Sequence, residues 1–265
     1  MCGTWTTSRY GLMSKFYFVP SACFCVAKVS TVKVGSMTTS APKETSEVSM
    51  KVVVFGAGGH AKVVLDVLEK TGRCTIVGLL DDSAALVGDT RSGYRVLGGR
   101  AHFRGLIQDG VKRMIVALGD NARRRAVFNS ARDEGFELVA AIHPSALLGS
   151  RVKIGAGSLL VAGVVVNVDA EIGDDVIVNT GASVDHDCRI GAHVHLSPGV
   201  RLAGRVTVGE LTHIGIGAVV LPNLAIGKNC IVGAGSVVRE DVPDGMVVAG
   251  NPARIIKPNE VALGV

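Results

Sequence analysis

Aromatic residues are scarce in this chain: seven Phe, three Tyr and one Trp, 4% of 265 residues, stand against 34 Gly. Six of the eleven precede residue 51, five lie between Phe55 and Phe136, and none follows. That excludes a ring-built core for the C-terminal half, whose interior must be narrow and aliphatic. Also missing is an apolar run of the ~18 to 20 residues that cross a bilayer. No C-x-x-C pair suggests zinc or redox work among the six cysteines. No block of five or six like charges is present to bind nucleic acid or an anionic membrane. The densest basic cluster, Arg123-Arg124-Arg125, reads as the exposed face of a helix. The expectation is a protein of a reduced, cytoplasmic compartment whose partners are small molecules.

What is present falls into four segments. Residues 1–50 are Ser/Thr-rich and hold five basic residues against two acidic ones, more than half of the net charge of +5. They read as a disordered leader or an upstream-start extension, with the folded chain beginning at Met50. Residues 51–140 read as a small Rossmann-like α/β domain. A strand Lys51–Phe55 is followed by the loop Gly56-x-Gly58-x-x-Ala61 and a helix, and later apolar stretches end at Asp81-Asp82 and at Gly119-Asp120-Asn121. Glycines let backbone approach a phosphate at a helix N-terminus, and the strand ends of such a sheet are where ligands bind. At this size a mononucleotide-like ligand fits better than a dinucleotide.

Residues 141–240 decide the fold. Every sixth residue from Ile142 to Val238 is aliphatic, seventeen positions without exception, and the position two before each is commonly small. This is the hexapeptide repeat of a parallel β-helix. Gly155, Gly173, Gly191, Gly209 and Gly227 recur every 18 residues, so three hexapeptides form one triangular coil and these glycines line a corner. Flat prism faces pack in threes, which predicts a homotrimer. Residues 241–265 form a C-terminal segment.

One coil carries chemistry. Asp185-His186-Asp187 puts a histidine between carboxylates two residues past the inward Val184. A neighbouring carboxylate orients an imidazole and raises its basicity, as a general base requires. The 18-residue period stacks Gly204 over His186, ~4.8 Å away, where an amide with no side chain can donate to an oxyanion. The same arithmetic stacks His195 under His213. These two form a surface ladder, or with His186 a three-histidine zinc site across a subunit boundary, as in a γ-class carbonic anhydrase. The residues also admit hydride transfer through the Gly56 loop, or binding of a nucleotide sugar without catalysis.

The glycine loop, Leu80-Asp81-Asp82, Ala117 to Asn121, Asn179-Thr180-Gly181, Asp185 to Cys188, His195-Leu196-Ser197 and Val248 to Arg254, taken in order, resemble the sialic acid O-acetyltransferase and bacillosamine N-acetyltransferase family of sugar acetyltransferases. The resemblance implies left-handed β-helices in a trimer with active sites between subunits, and direct transfer from acetyl-CoA to an amine or hydroxyl of a sugar or nucleotide-linked sugar, with no metal. It implies that His186 is the base, Asp187 its orienting acid and Gly204 the oxyanion donor. Gly58, Gly59, His60, Asp81, Asp82 and Asn121 correspond to the nucleotide-sugar pocket, Asn179 and His195 to the acceptor side. Gly204, Ile216, Ala234, Asn251 and Pro252 correspond to the CoA site.

Overall fold

A computed structural model describes residues 50–259. The expected leader over residues 1–50 lies outside the described residues apart from Met50, which opens strand β1 (Met50–Phe55). Val52, Val53, Val54 and Phe55 are all buried, as a central parallel strand covered on both faces requires. Helix α1 (Gly59–Thr71) buries Ala61, Val64, Leu65, Val67 and Leu68 and stops at Gly72, whose left-handed φ of 62° is one that glycine adopts without strain. Strands β2 (Cys74–Leu80), β3 (Thr90–Arg91) and β4 (Tyr94–Gly98) follow, then helix α2 (Phe103–Gln108), strand β5 (Arg113–Val116), helix α3 (Asn121–Asp133) and strand β6 (Glu137–Leu138). The sheet order is β3-β4-β2-β1-β5-β6. The chain travels outward from β1 and then returns to β5 on its other side, so the connections reverse between β1 and β5. That crevice at the carboxyl ends is where ligands of open α/β sheets bind.

From Ala141 to Val238, seventeen two-residue strands occur one every six residues and pair in parallel with the strand 18 positions away, forming the three faces of a prism. Its core holds the predicted aliphatic positions from Leu160 onward, with Ala170, Ala182 and Cys188 at the small positions. Buried Ser158 and Thr212 donate their hydroxyls to the Gly173 and Gly227 carbonyls, so small polar residues are accommodated as well.

Two expectations change. Leu148 belongs to the inward series but is 43% exposed, because the first coil has no coil beneath it. The glycines at 155, 173, 191, 209 and 227 are required by close approach, not by backbone conformation. A Cβ at Gly209 would lie 2.5 Å from the Lys228 amide nitrogen. Left-handed turns lie on other ladders: one at 163, 181, 199, 217 and 235 is all glycine, with φ of 63–71°, and another runs through Arg151, Asp169, Asp187, Arg205 and Asn223.

One face of the prism is covered by the α/β unit. Its outward positions Ala141, Leu159 and Ile177 pack with Ala61, Val64 and Leu68 of α1 in one apolar cluster, and the same ladder continues with His195 and His213. At the far end of the prism the antiparallel strands β24 (Met246–Gly250) and β25 (Ala253–Pro258) extend this face.

Candidate active site

The glycine loop is tied down by its neighbours. A Cβ at Gly56 would lie 2.7 Å from the Ala117 carbonyl oxygen, so only glycine lets the β1 and β5 loops meet. The Ala57 amide donates to Asp81 Oδ2 (3.0 Å) and the Ser83 amide to Asp81 Oδ1 (3.0 Å). Asp82 is paired with Arg100, whose Nε and Nη2 donate at 2.9 and 2.8 Å. Both carboxylates of the expected nucleotide-sugar pocket thus already organise the protein. Together with Phe55, Leu118 and Arg123 they border a cavity of about 160 Å³ at the carboxyl ends of β1 and β2. Gly58 and Gly59 face open space, and the first turn of α1 has neither a side-chain cap nor an acid, leaving its amides available to an anion.

Three histidines meet where the α/β unit adjoins the prism. His195 and His213 stack, with ring centroids 4.8 Å apart and planes 4° from parallel, and His60 lies 6.3 Å from His195. His195 Nδ1 donates to the Gly119 carbonyl (3.2 Å), which leaves Nε2 to accept from Asn179 Nδ2 at 3.3 Å. His213 Nε2 bonds Ser197 Oγ at 2.8 Å. Asn121 donates to the Leu211 carbonyl (2.9 Å), while its own Oδ1 and His60 Nε2 are buried with no partner among the described residues. Burial lowers His60 to about 4 and His195 to about 3, with Arg124 and, for His195, His213 adding nearby positive charge, so the rings are neutral at physiological pH. The zinc reading fails on this geometry, because parallel stacked rings with both His195 nitrogens engaged do not converge lone pairs on one ion.

His186 stands elsewhere, at the corner after the Ser183–Val184 strand. Its Nδ1 donates to Asp187 Oδ2 at 2.8 Å, since a carboxylate only accepts, and this leaves Nε2 as a lone-pair acceptor. Asp185 accepts from the His186 amide and from Asn167 Nδ2, which fixes the turn. A Cβ on Gly204 would lie 2.5 Å from His186 Nε2, so that position admits glycine alone without moving the ring. Among the described residues the Gly204 amide has no acceptor. One chain therefore assembles two separate groups. His186, Asp187 and Gly204 occupy a corner, whereas His60, Asn121, Asn179 and His195 occupy the face covered by the α/β unit. Ile216, 61% exposed, and Ala234 stack at another corner, while the exposed Asn251–Pro252 turn, with a cis bond, joins β24 to β25.

Comparison with known proteins is decisive. Residues 51–131 match the PglD N-terminal domain, and residues 169–204 and 205–240 match the bacterial transferase hexapeptide (six repeats). PerB from Caulobacter crescentus, solved with CoA and GDP-perosamine, is 46% identical over 78% of this chain and 97% of its own, with a TM-score of 0.75. The chain belongs to the PglD-type hexapeptide sugar acetyltransferases. The acetyltransferase domain of PglB from Neisseria gonorrhoeae, solved also with acetyl coenzyme A, is 38% identical, covering 78% of this chain and all of its own, at a TM-score of 0.73. WeeI from Acinetobacter baumannii is 30% identical over the same shares, at 0.71. The acetyltransferase accordingly has the left-handed β-helix of its class, and the hydride-transfer reading of the Gly56 loop gives way to acetyl transfer.

Proposed function

We propose that this acetyltransferase moves the acetyl group of acetyl-CoA onto the amine of an amino sugar carried by a nucleoside diphosphate. The observation that carries the reading is the His186–Asp187 pair beneath the unpartnered Gly204 amide. His186 Nε2 accepts a proton from the amine as its nitrogen attacks the thioester carbon. The Gly204 amide donates to the oxyanion of the tetrahedral intermediate. Collapse breaks the carbon–sulfur bond, and the proton on His186 passes to the departing thiolate, so no covalent enzyme intermediate is needed.

An amine, and a GDP-linked acceptor before a UDP-linked one, is favoured by the likeness to PerB, which was solved with GDP-perosamine. Gly58, Gly59, His60, Asp81, Asp82 and Asn121 surround the nucleotide sugar in this reading, and Asn179 and His195 the acceptor end. CoA runs from Gly204 past Ile216 and Ala234 towards Asn251 and Pro252. His186 and His195 lie on different parts of one prism, so a site containing both draws them from adjacent subunits, and a homotrimer supplies that arrangement. Acetyl-CoA as donor suits a cytoplasmic enzyme.

The test is CoA release with GDP- and UDP-linked 4-amino sugars and free sialic acid. Turnover with a nucleotide-linked amine is expected, and His186→Ala should lower kcat by ~10² to 10⁴. Turnover with sialic acid alone would make the enzyme an O-acetyltransferase, and a His186→Ala variant that keeps near-normal kcat would remove His186 from the role of base.

A further inference from the structure

The arginine triplet on α3 is not a uniform solvated face. Arg124 is 1% exposed, and its guanidinium reaches three segments far apart in sequence. Nε donates to Asp175, to Oδ2 at 3.1 Å and to the carbonyl at 3.2 Å. Nη1 donates to the carbonyls of Leu118 (3.2 Å) and Gly119 (3.4 Å), and Nη2 to those of His193 (2.8 Å) and Val194 (3.5 Å). Asp175 Oδ2 also accepts from His193 Nδ1 at 2.8 Å. A clamp that merely joined α3 to the prism would need only the Asp175 pair. The remaining donations go to the adjoining Leu118 and Gly119 carbonyls, of which His195 Nδ1 also bonds the second, and to the two residues that lead into His195. Both ends of the His195–Gly119 bond are thus set by one side chain.

We propose that Arg124 is a positioning residue. Its planar fork holds the Gly119 carbonyl and the His193–Val194 backbone in one frame, which fixes His195 as the Nδ1–H tautomer and presents Nε2 as an acceptor beside Asn179. Lysine, a point donor on a flexible stem, cannot hold both carbonyl groups at once. The charge of Arg124 acts in the same sense. His195 faces His213, His60 and Arg124, with Asp120 and the Asp175–His193 pair beyond, and added positive charge opposes its protonation. The functional consequence rests on the acceptor-side reading of His195 given above.

Nitrogen-15 spectra of the histidine rings, with His195 assigned by a His195→Asn difference, test this directly. The native enzyme should show His195 as a single Nδ1–H tautomer that stays neutral to pH 5; an Nε2–H form, or titration near 6.5, would overturn the proposal without any variant. Arg124→Lys, which keeps the charge but not the fork, should mix the tautomers and raise KM for the sugar about tenfold, leaving KM for acetyl-CoA unchanged. Arg124→Met with Asp175→Asn removes both buried charges together, so no lone carboxylate is left. It should lose the single tautomer too, and its His195 should titrate closer to 6.5. An unaltered tautomer and sugar KM in either folded variant would refute the role. Because the spectra need no substrate, an enzyme silent towards every nucleotide sugar would overturn the proposed function but not this result.

Discussion

Acid should unfold this enzyme through histidines that stay neutral while folded. Burial first, then neighbouring positive charge, lowers His195 to about 3 and His60 to about 4, whereas an unfolded histidine titrates near 6.5. For a histidine with a lowered pKa the unfolded chain binds the proton first. Stability is therefore complete above ~6.5, falls as pH drops towards the folded values, and levels out below them. At pH 5 the linkage amounts to about 2 kcal/mol for each ring and about 4 kcal/mol for the two together. Urea unfolding at pH 7.5 and 5.0, at one protein concentration, measures the loss, and the His60→Asn/His195→Asn double variant isolates it. Asp175, pushed up by burial, gains stability as pH falls, but it is common to both proteins and cancels in the comparison. The native enzyme should lose about 4 kcal/mol more than the variant. Equal losses would refute the reasoning.

The other consequences concern glycines. Gly204→Ala places a methyl group where the His186 ring stands, so kcat should fall ~10²-fold with little change in melting temperature. Melting and steady-state rates read the two effects separately, and an active Gly204→Ala enzyme would show that the ring and the amide are not the reacting pair. Gly209→Ala meets the Lys228 and Gly227 backbone at 2.5–2.6 Å and should cost ~1 to 3 kcal/mol in urea unfolding, since stacked backbone cannot move aside as a side chain can.

The repeat of the β-helix was legible because each inward position is a separate constraint: a residue that does not fit a three-sided core breaks the series, and none does from Leu160 to Val238. Leu148 departs from it only because the periodicity cannot state where the stack begins. His186 and Gly204 were legible for the same reason, being one period apart. Arg124 was not. A helix sequence ranks arginine as solvated, and its burial depends on partners 51 and 69 positions later. The approach of His60 to His195, 135 residues on, arises from how α1 covers Leu159 and Ile177, which no local spacing encodes. Asp81 and Asp82 were legible as strand-end carboxylates, but their engagement with Ala57 and Arg100 was not.

The unbroken 18-residue period gives the prism the character of a ruler. Each coil adds the spacing of one parallel strand, ~4.8 Å, with no change in the kind of contact made. Three such steps, 186 to 204 to 222 to 240, separate the His186 corner from the strands that close the far end, a span of ~14 Å. Evolution can alter that distance only in whole graduations. Adding or removing a coil would move every group on one side of the cut by a fixed increment, leaving both ends internally unchanged, whereas a shorter insertion must bulge from a corner. A long, thin ligand laid along the axis is therefore measured by the number of coils, while the chemistry of its reacting end is decided within a single one.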